Sequence, residues 1–339
     1  MRPKPIIGIS VGDPAGIGPE ITAKTLDSRT IYDLCRPLVV SDLQVMIQAV
    51  RFSGLPLQVR SVANPAEGRY EHGTVDVMDM NNVDMGKLQY KEVAPMTGKA
   101  SFEYIQKVIT LALAHKIDAT VTGPICKEAI NLAGYHYAGH TEIYGALTGT
   151  KDYAMMLADG DLRVVHVSTH VSLQEAIRRV KKPRILRVIQ LADAALKKLG
   201  IAQPRIAVAG LNPHCSEGGL FGTEEAEEIC PAIREAHAQG IHAEGPLPAD
   251  TVFSLMKGGR FDIVVAMYHD QGHIPIKFGG FHYESQTDTW SNLAGVNLTL
   301  GLPIIRSSVD HGVAFDKAGE GRANPQSMIE AIKMAARLV

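Results

Sequence analysis

The sequence predicts an α/β fold of two lobes, with mostly parallel sheets flanked by helices. Short runs rich in β-branched residues alternate with segments of helical period along most of the chain, which is the pattern of parallel strands with helical crossovers. The length of 339 residues is more than one hydrophobic core usually supports. The longest apolar runs fall far short of the ~20 residues that a membrane-spanning helix needs. We therefore expect two lobes and no membrane span.

Composition and charge argue against several classes of partner. Lys and Arg number 34 against 36 Asp and Glu, and the net charge of −2 gives no electrostatic reason to expect nucleic acid or an anionic membrane as partner. The four cysteines form no C-x-x-C pair, which favours reduced thiols. The apolar run from Ile6 is cut by Gly12-Asp13-Pro14 and is too short for the core of an export signal. We expect a cytoplasmic protein in which a few nearby side chains or N–H groups bind any anionic ligand.

The first part of the chain predicts two strand-loop-helix units. Ile6 to Ser10 is typical of a strand, a glycine-rich loop follows, and a helix is expected to open at Pro19-Glu20, where the missing proline N–H costs nothing. Residues 100–115 carry apolar side chains at helical period, and residues 118–122 form a strand that ends in Gly123-Pro124. Both loops lie where an open α/β sheet binds ligands, beyond the carboxyl ends of its strands.

The middle of the chain predicts an antiparallel hairpin. Apolar runs at 154–157 and 162–167 flank Asp159-Gly160-Asp161, a tight-turn sequence. Ser172 and Glu175 then form a capping-box pattern at the start of a helix.

Two further strands are predicted at residues 205–209 and 261–267. The first leads into a long polar loop at 211–222, after which Thr223 is expected to cap a helix. The two acidic residues that follow it, Glu224 and Glu225, suit the positive end of that helix dipole. The second strand is the most apolar of the chain and leads directly into Tyr268-His269-Asp270.

Three histidines each follow a predicted strand: His170, His214 and His269. Their separations of 44 and 55 residues have none of the short spacing of zinc fingers or helical zinc proteases. Their positions, however, would aim all three at one rim of the sheet, and three imidazoles with an open coordination position suit a catalytic divalent ion such as zinc. The alternative is that they cap loops.

Two aspartates lie in the same kind of position. Asp250 and Asp270 could orient a ligating imidazole, complete a metal shell or take a proton. An ordinary loop-capping role is the alternative for each.

The first glycine-rich loop could approach an anion or a cofactor closely. Gly12, Gly16 and Gly18 lie between strand and helix, where backbone N–H groups are exposed to a ligand. The loop is not G-x-G-x-x-G, so the dinucleotide fingerprint of the Rossmann fold is absent. A tight turn without a ligand is the alternative.

Several residues could bind a phosphate. His140 and Thr141 open a short predicted helix whose N–H groups lie at its positive end, although an ordinary threonine cap explains the pattern equally well. Lys277 and Arg306 are isolated cations near glycines and apolar strands, where an anionic ligand would offset the cost of burying a charge. Surface salt bridges are the alternative for both.

Residues 311–325 contain too many glycines for a helix and are predicted to form a loop. Asp316 within it could bind ribose hydroxyls. A mobile surface loop is the alternative.

Six blocks of sequence, in order over nearly the whole chain, are similar to the motifs of one enzyme family. They are G-D-P-A-G-I-G-P-E at 12–20, T-G-P at 122–124 with Lys127, G-H-T-E at 139–142, L-N-P-H at 211–214, Y-H-D-Q-G at 268–272, and V-N-L-T-L-G-L-P-I-I-R-S-S-V-D-H-G at 296–312. Together they resemble the PdxA family, the 4-hydroxythreonine-4-phosphate dehydrogenases. The glycine loops are also similar to those of isocitrate and isopropylmalate dehydrogenases, which bind a nicotinamide cofactor without the Rossmann fingerprint.

The resemblance implies a metal centre shared between the subunits of a homodimer, with the active site at the subunit interface. One divalent cation per subunit, Zn, Mg or Co, would be held by His170, His214 and His269. Asp250 and Asp270 would lie close to it as the candidate catalytic residues. The small phosphorylated substrate would contact His140, Thr141, Lys277, Asn297 and Arg306.

The resemblance also implies where NAD binds and how the lobes are built. NAD would lie along the C-terminal loop at His311, Gly312, Asp316 and Asn324, with the first loop contributing Gly12, Asp13, Gly16 and Gly18. An isocitrate/isopropylmalate dehydrogenase-like fold is expected, with residues 1–125 and 276–339 in lobe one and residues 126–275 in lobe two. The active site is expected in the cleft between the lobes.

The implied reaction is the oxidation and decarboxylation of a 4-phosphorylated 3-hydroxy acid, with the metal as Lewis acid. The candidate substrates are 4-hydroxythreonine 4-phosphate and the 4-phosphates of D-threonate and D-erythronate. The alternatives are a cis-dihydrodiol dicarboxylate dehydrogenase of the same family and a metabolite-binding protein without catalysis. Two features depart from the biosynthetic enzyme: His273 stands where an apolar residue is expected, and the segment 279–295, with Tyr283, Asp288 and Trp290, is longer.

Overall fold

The computed structural model describes residues 3–280, 282–285, 289–292 and 295–339. The chain divides into two compact units. Residues 1–151 and 302–339 form what we call the terminal unit, and residues 152–301 form the middle unit. Within the described ranges, no helix has both the length and the hydropathy needed to cross a membrane. All four cysteines carry free thiols.

Strands and helices alternate along most of the chain. In order they are β1 (Ile6–Ser10), α1 (Gly18–Leu26), α2 (Arg29–Leu34), β2 (Arg36–Ser41), α3 (Leu43–Phe52), β3 (Gln58–Val62), β4 (Thr74–Asp79), α4 (Pro95–Leu113), β5 (Ala119–Thr122), α5 (Lys127–Leu132), α6 (His140–Thr148), β6 (Ala154–Asp159), β7 (Leu162–His166), α7 (Leu173–Arg179), α8 (Lys182–Lys198), β8 (Ile206–Ala209), α9 (Cys230–Ala238), β9 (Ala243–Leu247), α10 (Ala249–Lys257), β10 (Ile263–Ala266), α11 (His269–Gly280), β11 (His282–Glu284), β12 (Thr289–Asn292), β13 (Val296–Leu300), β14 (Ile305–Val309) and α12 (Gln326–Leu338).

The terminal unit is built on a parallel sheet. Its strands lie in the order β3-β4-β2-β1-β5-β14, and each neighbouring pair is parallel. The central strands β1 and β5 are almost wholly buried, as expected where helices cover both faces of a parallel sheet. Beside the sheet, Phe102, Ile105 and Ile109 of α4 form a core cluster with Ile130 of α5 and Ile143 of α6.

The middle unit is built on a mixed sheet. Its strands lie in the order β13-β6-β7-β10-β8-β9. The first two pairs, β13 with β6 and β6 with β7, are antiparallel, and the remaining pairs are parallel. A core cluster that includes Val164, Ala207 and Val264 packs against Val252 and Met256 of α10. The mostly parallel α/β architecture predicted from sequence is confirmed.

Several elements lie where the sequence predicts them. Strand β1 spans the predicted residues, and β6 and β7 form the predicted antiparallel hairpin. The Ser172 hydroxyl accepts the Glu175 N–H at 3.2 Å, which is one half of a capping box. Helix α4 begins at Pro95, five residues before the predicted start, with proline in its first turn.

Thr223 lies directly before the helical residues that begin at 224, which is the predicted cap position. The backbone carbonyl of Thr223, not its hydroxyl, accepts the Glu227 N–H at 2.9 Å. Residues 225–229 form a π-helical turn that leads into α9, and no side-chain hydrogen bond caps this turn among the described residues.

The boundaries between the units lie after residues 151 and 301, whereas the boundaries expected from the sequence lie after residues 125 and 275. Helices α5 and α6 pack against α4, so they belong to the terminal unit. Strand β13 pairs with β6, and α11 packs on β7, so residues 276–301 belong to the middle unit. Lys277 and Asn297 are therefore residues of the middle unit.

Candidate functional site

The glycine-rich loop after β1 is packed into the terminal unit. All residues from 11 to 20 are buried. The Asp13 N–H donates to the Pro124 carbonyl at 2.9 Å, and the Ile17 N–H donates to the Val313 carbonyl at 3.0 Å. The loop therefore joins the segments that follow β5 and β14.

Close backbone packing accounts for the glycines of this loop. Gly12 has a φ of +82°, and a Cβ there would lie 2.1 Å from the Pro124 carbonyl oxygen. A Cβ on Gly18 would lie 1.9 Å from the Val11 carbonyl oxygen, and one on Gly16 would lie 3.1 Å from Val313. These contacts support the tight-turn alternative, and a role for the three glycines in binding NAD stays a prediction.

Asp13 is a buried carboxyl group within this loop. Its Oδ1 accepts the Ala15 N–H at 2.9 Å, while its Oδ2 is buried and accepts no hydrogen bond from the described residues. Burial raises the pKa of Asp13 to about 6, against the weaker opposing effect of the Ala15 hydrogen bond. The group is thus poised between its charged and neutral forms.

Arg306 is buried on β14, the last strand in the order of the terminal unit's sheet. Its side chain on β14 is 3% exposed, and its Nη2 donates to the Thr122 hydroxyl at 3.1 Å. The guanidinium lies 5.5 Å from the centre of the Tyr144 ring. Burial lowers the pKa of Arg306 to about 10, while Tyr144 and Glu142 act in the opposite direction. The guanidinium is still charged at neutral pH, so an anion beside it is favoured.

The first turn of helix α6 lies within electrostatic reach of Arg306. It begins at His140, and Thr141 lies in its first turn, so their N–H groups are among those that the helix leaves unpaired. The His140 Nε2 and Glu142 Oε2 atoms are buried and have no hydrogen-bond partner among the described residues. Burial, followed by the charges of Arg306 and Lys127, lowers the pKa of His140 well below its usual value. The structure therefore places His140, at the start of α6, within electrostatic reach of Arg306, and binding of a phosphate there stays a prediction.

The C-terminal loop is fastened to α1 by a buried ion pair. Glu20 is fully buried, and its carboxylate accepts the N–H groups of Gly321 and Ala323 at 3.2 and 2.5 Å. Lys24, 3.0 Å from Glu20, donates to the carbonyl groups of Gly321 and Ala323 at 2.7 and 2.8 Å. Both ends of this short segment of backbone are held by side chains of one helix face.

The predicted cofactor residues lie along this loop, which contains no helix before α12. His311 Nδ1 donates to the Gly312 carbonyl at 3.0 Å, and its Nε2 is buried without a partner in the described part of the chain. Gly312 and the Asp316 side chain are exposed. Asn324 is exposed and lies just before Pro325, the N-cap residue of α12, and its Oδ1 accepts the Gln326 N–H at 2.9 Å.

Two of the three predicted metal ligands lie together in the middle unit. The rings of His170 and His269 are 5.7 Å apart between centres. Both residues, with Asp270, line a pocket of about 500 Å³. The His269 Nδ1–H donates to Asp270 Oδ1 at 2.6 Å, so the Nε2 lone pair is left to bind a metal.

The third predicted ligand, His214, lies on a strained turn after β8. Residues 214–217 all have positive φ, between 41° and 70°, which non-glycine residues rarely adopt. The His214 Nδ1–H donates to Glu217 Oε1 at 2.7 Å. His214 and His269 therefore share one arrangement, in which a carboxylate occupies Nδ1 and leaves Nε2 to bind a metal.

Glu225 holds the strained turn in place. Its Oε1 accepts the N–H groups of Leu211 and Asn212 at 2.8 and 2.7 Å, and its Oε2 accepts the Asn212 side chain at 2.8 Å and the Ser216 hydroxyl. Burial opposes ionisation, but these hydrogen bonds outweigh it and lower the pKa of Glu225. Sequence reasoning assigned Glu225 only to the helix dipole, and its partners show that it organises the turn that carries His214.

The three histidines do not form a complete metal site within one chain. Among its described residues, no group of three or more His, Cys, Asp or Glu side chains is close enough to hold a metal ion. Asp250 lies in the first turn of α10, which packs against the turn that carries His214. Lys277 lies in the last turn of α11. Asn297 lies on β13, and its buried Oδ1 accepts no hydrogen bond from described residues.

Two further histidines, His166 and His273, lie beside His269 and were not among the predicted site residues. His166 ends β7 and is 1% exposed, and His273 on α11 is 7% exposed. The His273 ring stacks on that of His269, with centres 3.6 Å apart and planes at 12°. Burial lowers the pKa of His166 to about 4 and that of His273 to about 2, so both rings are neutral. The signal available in the sequence was the unexpected histidine at position 273.

Part of the long segment 279–295 lies outside the described residues. Strands β11 and β12 pair antiparallel within it. Asp288 is outside the described ranges, and the side chains of Tyr283 and Trp290 are not described.

The described donor set fits a divalent cation. Neutral imidazoles with Nε2 available are common metal ligands, and a carboxylate on Nδ1 is their usual support. The groups of the C-terminal loop also fit a dinucleotide, since His311 Nε2 is buried with no hydrogen-bond partner among the described residues and the Asp316 carboxylate is exposed.

Comparisons with known proteins identify the family of the chain. Residues 33–335 match the family described as "Pyridoxal phosphate biosynthetic protein PdxA". The D-threonate 4-phosphate dehydrogenase of Cupriavidus necator is 45% identical over 98% of this chain and 97% of its own length. The 4-hydroxythreonine-4-phosphate dehydrogenase of Desulforapulum autotrophicum is 47% identical over 98% of this chain and 95% of its own length.

Solved structures show the same fold. The crystal structure of 4-hydroxythreonine-4-phosphate dehydrogenase from Klebsiella pneumoniae is 41% identical, with a TM-score of 0.87 over 99% of both chains. A beta-decarboxylating dehydrogenase from Thermococcus kodakarensis has a TM-score of 0.51 at 13% identity, over 97% of this chain and 82% of its own, which is a likeness of fold alone. By its sequence and its fold, the chain belongs to the PdxA family.

Proposed function

We propose that the protein oxidises a 4-phosphorylated 3-hydroxy acid with NAD and a divalent cation, and that the oxidised product loses carbon dioxide. Its family makes it an oxidoreductase, since its relatives are dehydrogenases that act on a CH–OH group. D-threonate 4-phosphate and 4-hydroxythreonine 4-phosphate are the leading substrate candidates, because relatives named for them are almost equally similar to this chain.

The observation that carries the proposal is the buried guanidinium of Arg306 near the first turn of α6. Arg306 is 3% exposed, and the amino end of α6 contributes unpaired N–H groups around His140 and Thr141. A dianionic phosphate suits a buried guanidinium, and a helix amino end is a general phosphate-binding element. His140 is neutral because of its lowered pKa, so it would act as a hydrogen-bonding group, not as a second charge.

We assign the metal to His170, His214 and His269. When bound, the cation supplies Lewis-acid stabilisation of developing negative charge, and NAD supplies the hydride acceptor. Asp270 orients His269 by accepting its Nδ1–H, and Glu217 does the same for His214. Because Asp270 Oδ1 is engaged in this way, Asp250 is our candidate for the group that accepts the substrate proton.

We propose that NAD lies along the loop from His311 to Asn324. The exposed Asp316 carboxylate would accept hydrogen bonds from ribose hydroxyls, and the buried His311 Nε2 would accept one from the cofactor. Glu20 and Lys24 hold the loop at Gly321 and Ala323.

We propose a homodimer in which a second copy completes the metal site. The described residues of one chain bring together no set of three metal-binding side chains. Leu173 on α7, which lines the pocket of His170 and His269, is 60% exposed, and Phe278 near the end of α11 is 88% exposed. Large exposed apolar side chains such as these are typical of an interface.

A substrate panel tests the proposal. The purified protein is incubated with NAD and one of Mg²⁺, Zn²⁺ or Co²⁺. Each of 4-hydroxythreonine 4-phosphate, D-threonate 4-phosphate and D-erythronate 4-phosphate is added in a separate reaction. NADH absorbance and carbon dioxide release are measured. We expect metal-dependent NADH formation with at least one substrate. Turnover of an unphosphorylated cis-dihydrodiol dicarboxylate alone would overturn the phosphate assignment, and binding of a phosphorylated acid without NADH formation would favour a metabolite-binding protein.

The metal assignment has its own test. His214→Ala is expected to abolish turnover and lower the bound metal, whereas loss of stability with unchanged metal content would show that His214 is a structural residue. Metal analysis of the folded variant separates the two results.

A further inference from the structure

Two buried histidines lie directly behind the proposed metal ligand His269. His166 is the last residue of β7, and His273 is one helical turn after His269 on α11. Their ring centres are 4.6 Å apart, and the His273 ring is stacked against that of His269 at 3.6 Å. The three imidazoles form a contiguous group that runs from the interior of the middle unit to the pocket.

Hydrogen bonds determine the tautomer of each buried ring. His166 Nδ1 lies 3.3 Å from the Met155 carbonyl, which can only accept, so Nδ1 carries the proton and His166 Nε2 is an acceptor. His273 Nδ1 lies 3.0 Å from the His269 carbonyl and 3.1 Å from His166 Nε2. It must therefore be an N–H that is shared between these two acceptors.

The backbone around this group leaves room for these rings and little else. A Cβ built on Gly272 would lie 2.5 Å from His166 Nε2 and 2.7 Å from Val164. Glycine at this position therefore allows α11 to approach β7 closely enough for the two imidazoles to meet. A leucine at position 273 would fill comparable space but would supply neither a planar face nor an N–H.

We propose that His273 is a positioning residue, which holds the His269 imidazole in the orientation that binds the divalent cation, and that His166 holds His273 in turn. The stacked face restricts rotation of the His269 ring, and the N–H to the His269 carbonyl fixes the backbone from which that ring extends. With Asp270 on Nδ1, the His269 ring is then restrained both at its edge and on its face. The proposal rests on the proposed function, since it takes His269 to be a metal ligand.

Metal affinity of the metal-free homodimer tests the proposal without any need for turnover. Co²⁺ is titrated into wild-type protein and into His273→Leu, His273→Phe and His273→Asn, and binding is followed by the visible absorption of bound Co²⁺. Phe keeps the stacked face but loses the N–H, whereas Asn keeps an N–H near the position of Nδ1 but loses the ring. His242→Leu, an exposed histidine of the same unit, is the matched control.

We expect His273→Leu to weaken Co²⁺ binding by about 10- to 100-fold, as loss of a ligand's supporting partner usually does. Phe and Asn should each recover part of that loss, and the control should bind as the wild type does. Activity of His273→Leu should return at high metal concentration with the substrate KM unchanged, because the substrate contacts are intact.

The outcomes separate the inference from the proposed function. If wild-type protein binds no Co²⁺, the proposed metal site is wrong and the inference is wrong with it. If the wild type binds Co²⁺ and folded His273→Leu binds it with the same affinity, only the inference is overturned. Should His273→Leu fail to fold, wild-type affinity in both of the folded Phe and Asn variants would overturn it equally.

Discussion

Asp13 shows how a single residue can work against the stability of its own fold. It is fully buried in the loop after β1, one carboxylate oxygen accepts the Ala15 N–H, and burial raises its pKa from 3.8 to about 6. The folded state therefore binds a proton more tightly than the unfolded state does. Its contribution to stability falls as the pH rises from about 4 to about 6, and the charged form is a cost above that range.

Asp13→Asn should therefore stabilise the protein at neutral pH. Asn keeps an oxygen for the Ala15 N–H and removes the buried charge, so we expect a gain of up to about 3 kcal/mol at pH 7.5 and little change at pH 4. Urea unfolding at the two pH values measures this, with the exposed Asp33→Asn as control. An equal effect at both pH values would show that the carboxyl group does not titrate as its burial requires.

Arg306 is the residue on which substrate affinity should depend most. Its Nη2 donates to Thr122, and the buried guanidinium lies beside the Tyr144 ring. Arg306→Lys keeps the charge but loses the planar fork, so we expect KM for the phosphorylated substrate to rise by about 10-fold or more, with a smaller change in kcat.

Inorganic phosphate provides a second measurement for the same variant. It should inhibit the wild type competitively, and Arg306→Lys should be inhibited more weakly. Wild-type KM and wild-type phosphate inhibition in a folded Arg306→Lys would remove this residue from the phosphate site.

At the scale of an element, the C-terminal loop depends on one face of α1. The Glu20 carboxylate accepts two backbone N–H groups, and Lys24 donates to two carbonyl groups of the same short segment. Glu20 is fully buried. Hydrogen bonds to a buried charge are among the stronger ones in proteins, so this clamp should dominate the local stability of the loop.

Glu20→Gln should loosen the loop without unfolding the protein. We expect amide hydrogen exchange at Gly321 and Ala323 to accelerate at least 10-fold, because the amide side chain replaces one acceptor oxygen with a donor. NAD affinity should weaken in parallel. Glu71→Gln, an exposed substitution in the same unit, is the control. Unchanged protection at both amides would contradict the clamp.

Several elements follow from local patterns, whereas others depend on distant partners. Strand β1 and the hairpin of β6 and β7 were predictable, because period, turn residues and apolar runs are local signals. The strained turn at 214–217 could not be predicted, because its conformation depends on hydrogen bonds to Glu225, and local residue propensities give no information about these bonds.

At the scale of the whole molecule, metal binding and subunit association should be linked. If one metal ion is bound by His214 of one subunit and by His170 and His269 of the other, the metal bridges two chains and stabilises the dimer by mass action. Chelation should then lower Tm by about 5 °C or more and shift the protein toward monomer, since a ligand at 100 times its Kd contributes about 2.7 kcal/mol.

Thermal unfolding and light scattering after size-exclusion chromatography measure both effects, with and without a chelator. Re-addition of Zn²⁺ or Co²⁺ should restore them together. If chelation changes neither the Tm nor the dissociation of the dimer, each metal site is either complete within one subunit or absent.

The α/β class, the main strands, the family and the residues at the carboxyl ends of the strands could all be inferred from the sequence, because each depends on local patterning or on short contiguous motifs. Which side chains meet was decided only by tertiary structure. His166 and His273 are 107 positions apart and are joined by a hydrogen bond between ring nitrogens, and Glu20 accepts hydrogen bonds from backbone groups about 300 positions away. Such contacts depend on how strands and helices pack, and no local signal in the chain records them.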